Sequence, residues 1–181
     1  RGDKSLELKC RAVDEQDRVD VMVRALHVTL SRYQEQTGYG RAISAPQIGL
    51  LKRLIVLDLG AGPIVLINPE ISWRSAAKRW VWDDCLSVPD VLVKIKRNVS
   101  ISVRYEDELG RKRHWQRLNQ DMSELIQHEM DHLDGILMTE HREVQETRPI
   151  SERDELLAQS RAQSRLSLQP VSYTHLRAHE T

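Results

Sequence analysis

The stretch "QHEMDHLDG", residues 127–135, places two histidines four positions apart with a glutamate directly after the first. On a helix, positions four apart share a face, so His128 and His132 can aim imidazole nitrogens at a single point. Glu129 sits one step round, near that point but outside direct coordination. Two imidazoles for a divalent ion, and a carboxylate to manage the protons of an activated water, are what hydrolysis at a metal requires. An exposed helix with two incidental histidines would need no apolar surroundings, yet Leu125, Ile126, Met130 and Leu133 flank the pair. Buried imidazoles without partners are costly, and a metal satisfies them.

A catalytic metal site normally takes three protein ligands and keeps one position open. Downstream, Asp134 is too close to reach back, and neither Glu140 nor His141 has a suitable spacing. Upstream, "DDCLSVP" offers Cys85 in a segment that reads as loop-like. A lone cysteine is more often a small buried apolar residue than a ligand. The missing third ligand and the scarcity of cysteine, with only Cys10 besides, favour the ligand.

The elements that must position these residues are legible in outline. "DEQDRVDVMVRALHVTLSRYQEQTG" repeats Val19, Val23, Leu26, Leu30 and Tyr33 at helical steps and ends at Gly38. "GYGRAISAPQIGL" reads as a loop or irregular edge segment, because its proline cannot sit inside a helix. "RLIVLDL" and "PIVLINP" read as short buried strands. "NVSISVRYEDELGRKRHWQRL" alternates on both sides of "EDELG", a hairpin with Gly110 in its turn. "DMSELIQHEMDHLDG" returns to helical period, with Asp121 as cap, Glu124 three residues on, and Gly135 as terminator. A last helix is expected in "SERDELLAQSRAQSRL". The fold class is α+β, one buried helix carrying the His pair among strands.

The totals restrict function without choosing it. The chain has 181 residues, enough for one domain with a real core. Lys+Arg and Asp+Glu balance at 27 each, which gives no footprint for nucleic acid or an anionic membrane. No apolar run approaches the roughly 20 residues of a membrane span. Two cysteines and no signal peptide point to a reducing, cytoplasmic setting. The expected organisation is a catalytic domain over residues 1–150 and a C-terminal helix or tail over 151–170. Residues 171–181, "VSYTHLRAHET", resemble one reading frame of a transposase sequencing adapter. That stretch is read as non-native, and its histidines His175 and His179 receive no metal role.

"GRAISAPQIG", "DDCLSVP" and "QHEMDHLDG", in this order, resemble the three motifs of peptide deformylases: G-x-G-x-A-A-x-Q, E-G-C-x-S and H-E-x-x-H. "INPE" and Arg97 add support, and the resemblance covers roughly residues 2 to 140. It implies antiparallel sheets packed around a central helix that bears H-E-x-x-H, with helices at both ends. Cys85, His128 and His132 would hold one divalent metal, Fe2+ first, with Zn2+, Ni2+ or Co2+ as the other choices. Glu129 would act as general base and then acid, while Gln47 and the backbone N–H of Leu86 would donate to the oxyanion. Gly40, Ile43, Asp84, Glu124 and Leu125 would line the substrate site, Glu124 and Leu125 facing the methionine side chain. The implied activity removes the formyl group from N-formylmethionyl nascent peptides in the bacterial cytoplasm or an organelle, with the ribosome as a further partner.

This sequence departs from those motifs at Ala42 and Ser44, and at Asp83 and Asp84, where the second motif has Glu and Gly. A carboxylate-bearing residue in place of glycine puts turnover and substrate preference in question. The alternatives are a deformylase-fold protein with weak or no activity that binds peptides or the ribosome, and an H-E-x-x-H endopeptidase.

Overall fold

A computed structural model describes residues 4–165, with side chains through 159. The tail over 171–181 lies outside the described residues. The elements run α1 (Val19–Thr37), β1 (Ala42–Ser44), β2 (Leu54–Asp58), β3 (Pro63–Arg74), β4 (Lys78–Cys85), β5 (Val88–Asn98), β6 (Ile101–Glu106), β7 (Lys112–Trp115), α2 (Gln120–Leu133), β8 (Val144–Pro149) and α3 (Arg153–Arg165). The strands form two antiparallel sheets, one ordered β1-β2-β3-β6-β7 and the other β4-β5-β8.

Period-two alternation in β2 explains how the larger sheet is buried on both faces. Leu54 and Val56 join Met22, Val23, Leu26 and Leu30 of α1, together with Ile43, Val65 and Ile67. Ile55 and Leu57 point the other way, to Met122, Leu125, Ile126, Met130 and Leu133 of α2. The sheet is thus a layer between two helices. The apolar stripe of α2 is used up on it, which leaves His128 and His132 to face the smaller sheet.

Polar contacts fix α2 in register. The Gln127 amide accepts from Asn98 N and donates to Asn98 O, both at 3.0 Å. Ser123 Oγ accepts from Ile101 N and donates to Leu118 O, both at 3.1 Å. At the far end of the helix the N-terminal segment closes in, with Cys10 N donating to Leu133 O at 2.9 Å.

Several expectations change. Asn119, not Asp121, caps α2: its side chain accepts from Met122 N, and Asp121 lies within the helix. Asn is as good a cap as Asp, and it starts the turn in which Ser123 accepts from Ile101 of β6. Cys85 is not in a loop but ends β4, where it pairs with Val88 across a turn of Leu86 and Ser87. The segment read as loop or irregular edge contains a short edge strand, β1, followed by a 3-10 turn at Ala45–Ile48. β3 continues past "PIVLINP" to Arg74 through a register shift between Ile67 and Glu70. β8 has no clear pattern in the sequence, because all its residues are exposed or half-buried. The final helix falls where expected.

Gly135 has φ +74°, and a Cβ there would lie 2.6 Å from the Glu7 carbonyl oxygen. Gly110 has a similar φ of +71° with open space around it. Gly110→Ala should cost only the left-handed strain, about 1 kcal/mol. Gly135→Ala should cost more by a further 1–3 kcal/mol or so, because backbone must move. Urea unfolding of the two variants measures the difference.

Candidate active site

Cys85, His128 and His132 are all buried, and their ligating atoms lie within 4.8 Å of one another. Cys85 comes from the end of β4 and both histidines from α2, so the site closes only where the smaller sheet packs on that helix. Cys85 Sγ is 3.0 Å from His132 Nε2. Burial, reinforced by His128, lowers the pKa of His132 to about 3, which keeps its ring neutral and its lone pair available.

Strand alternation brings Asp83 inward beside Cys85. Asp83 Oδ1 lies 2.9 Å from His128 Nδ1. Its other oxygen accepts from Arg97 Nη2 at 2.6 Å and Nε at 3.1 Å. Arg97, 3% exposed in its side chain, also donates to Asp131 at 2.7 Å. Burial alone would push the Asp83 carboxyl up; the charges of His128 and Arg97 outweigh it and hold Asp83 well below the usual carboxylate range. Burial likewise works against a charged His128, but Asp83 and Cys85 beside it raise its pKa well above the ordinary value. The surroundings of His128 therefore stabilise positive charge. A soft thiol sulfur, two imidazoles and this bias fit a divalent transition metal.

Glu129 is 3% exposed, and its Oε2 is buried without a hydrogen-bond partner. Burial raises its pKa, against the opposing pull of His128 and a hydrogen bond from Ser44. Gln47 is oriented from behind: its Oε1 accepts from Ser44 N at 2.8 Å and Ser44 Oγ at 3.0 Å. That leaves Nε2 to point across the site, 3.7 Å from Cys85 Sγ and 3.2 Å from Ser87 Oγ. A cavity of 430 Å³ opens beside Gln47, lined also by Ile43, Tyr33, Leu86 and Ser87.

The other expected substrate residues are spread out. Gly40 packs under the Tyr33 ring, and its carbonyl accepts from Gln34 at 2.8 Å. Ile43 is core, packed with the α1 cluster, and Leu125 packs in the α2 cluster. Glu124 lies one turn before His128 with Arg79 at 3.7 Å. Asp84 lies within β4 at the register shift between Asp83 and Cys85, and its carboxylate accepts from Arg153 at 3.1 Å. The departures from the motifs are thus structural parts: Asp83 holds His128, and Ser44 holds Gln47. The Ser44–Gln47 pair is a capping box, readable as "SAPQ". Asp83 is readable as inward-facing once Cys85 is placed on a strand, two positions on.

Asp83→Asn removes the anion behind His128. Metal affinity should fall about 10–100-fold, read by titrating the folded variant with Co2+ or Zn2+ beside the wild type. Burial, with Asp83 nearby, pushes Glu124 up to about 7 from 4.5, against Arg79, Arg41 and Arg97. The folded state therefore keeps a proton that the unfolded chain releases, and this group weakens stability as pH rises from about 4.5 to about 7. Glu124→Gln should remove that decline, up to about 3 kcal/mol, in urea unfolding across this range.

The polypeptide deformylase family model matches residues 1–148. A peptide deformylase of Synechococcus sp. (strain CC9605) is 36% identical over 146 residues, spanning 77% of this chain and 69% of that protein. One from Parasynechococcus marenigrum is 40% identical over 111 residues, 58% of this chain and 54% of the relative. Among solved structures, the Thermotoga maritima peptide deformylase superposes with TM-score 0.68 at 30% identity, over 76% of this chain and 90% of that one. The enzyme of Synechococcus elongatus in complex with actinonin gives 0.67 at 31%, over 94% and 87%. A Met-Ala-Ser-bound class I type b enzyme of Acinetobacter baumannii gives 0.68 at 27%, over 77% and 93%. With its three motifs in order and their side chains gathered in one buried site, the chain belongs to the polypeptide deformylase family.

Proposed function

We propose that this protein is a metal-dependent amidohydrolase that removes the N-formyl group from formyl-methionine at the start of newly made peptides, releasing formate. The observation that carries this reading is the buried Cys85–His128–His132 group, with Gln47 Nε2 3.7 Å from Cys85 Sγ and Glu129, its Oε2 buried without a partner, next to His128 on α2. The catalytic unit is the domain over residues 1–150, followed by a C-terminal helix. The setting is the bacterial cytoplasm, where formylated chains emerge from ribosomes. No described helix is long and apolar enough to cross a membrane.

Two sheet edges that lack a strand partner among the described residues support an extended peptide as substrate. Among the described residues β1 pairs only with β2 and β4 only with β5, and they end at Ser44, which holds Gln47, and at Cys85. A peptide laid against such an edge gains main-chain hydrogen bonds without regard to side chain, which suits an enzyme that meets many sequences.

Cys85, His128 and His132 would hold the ion, which supplies Lewis acidity and a lowered water pKa when bound. Fe2+ is the proposed ion; Zn2+, Ni2+ and Co2+ suit the same donors. Glu129, buried and with Oε2 unpartnered, takes the proton of the attacking water and hands it to the departing amine. Gln47 Nε2, its amide fixed by Ser44, and the backbone N–H of Leu86 donate to the oxygen that gains charge as the formyl carbon becomes tetrahedral. Asp83 and Arg97 keep the His128 ring in place throughout.

Formate release from formyl-Met-Ala-Ser by anaerobically prepared, metal-analysed protein tests this. Glu129→Ala should keep the metal and lose activity about 10²–10⁴-fold. Gln47→Leu should lose about 10²–10³-fold, mainly in kcat. Metal-loaded wild type that releases no formate would overturn the reading.

A further inference from the structure

The family match ends at residue 148, yet Arg153 at the start of α3 reaches back to the site. Its Nε donates to Asp84 Oδ2 at 3.1 Å, and Asp84 immediately precedes Cys85. Its guanidinium carbon lies 3.9 Å from the centroid of the Tyr39 ring. Tyr39 belongs to the other side: it stands just before β1 and packs edge-on against Tyr33 of α1 at 5.7 Å. One side chain therefore joins the segment leading into β1 to the end of β4, two strands that each have a free edge among the described residues and border the site. Both Arg153 and Asp84 are largely covered, at 19% and 26% side-chain exposure.

The chemistry favours arginine. A planar fork can bond a carboxylate in its plane while an aromatic ring covers its face; a compact ammonium lacks that plane and serves both partners less well. It also explains Asp84, a charged residue where the family motif has glycine: its carboxylate anchors the bridge.

We propose that Arg153 is a positioning residue for the peptide substrate, a brace that holds the two lips of the slot at binding distance. This rests on the deformylase reading given above. The brace touches no reacting atom, so it acts on peptide binding and not on the chemical step.

The test is steady-state kinetics on formyl-Met-Ala-Ser with the metal-loaded wild type, Arg153→Ala, Arg153→Lys, Asp84→Asn and the Arg153→Ala/Asp84→Asn double variant. Each single variant should raise KM about tenfold with kcat within about twofold, Lys should not rescue, and the double variant should match the singles. Hydrogen exchange at residues 38–42 should quicken in Arg153→Ala and Asp84→Asn alike. Wild-type turnover with unchanged KM in Arg153→Ala, additive effects in the double variant, or a loss confined to kcat would overturn the brace. A wild type without turnover would overturn the deformylase reading, and exchange at 38–42 would still decide the brace: unchanged protection in both variants would sink it.

Discussion

Arg97 is a fully covered cation, and the site depends on what it is given to bind. An isolated guanidinium in an apolar interior is prohibitively costly, so two carboxylates, Asp83 and Asp131, are drawn to it. Asp83 then has one oxygen left, and that oxygen faces His128. A single buried ion network therefore ties β5 to β4 and to α2, the elements that carry the ligands. Asp83 is the shared member: without it His128 loses its anion and Arg97 keeps only Asp131. The shorter Asp, where the family motif has Glu, still spans from Arg97 to the His128 ring.

The same economy governs the groups proposed for catalysis. Gln47 has its carbonyl end occupied by Ser44, so its donor end has a defined direction. Glu129 is buried with an oxygen to spare, and burial lifts its pKa toward the range useful for proton transfer. His132 is kept neutral by burial, while His128 sits against negative charge. Adjacent groups on one helix thus acquire different protonation behaviour from their tertiary neighbours, not from their types.

The layered arrangement explains how a short helix can be both core and site. α2 spends Leu125, Ile126, Met130 and Leu133 on the large sheet, and offers the opposite side to the smaller one. Asp84 shows how a residue out of keeping with a motif can be accommodated locally: its backbone stays in the strand and its charge is met by Arg153 from a later segment.

The helices, the hairpin at Gly110, the His pair and the order of the motifs were legible before folding, because they are carried by local spacing that period and turn chemistry reveal. Ser44 as the anchor of Gln47 was legible in "SAPQ" for the same reason. Tertiary structure alone decided that Cys85 ends a strand, that Asp83 and Arg97 meet behind His128, and that Arg153 closes on Tyr39 and Asp84. Those contacts join residues 14 to 114 positions apart. No local period encodes them; they follow from which sheet face meets which helix face once the core is buried.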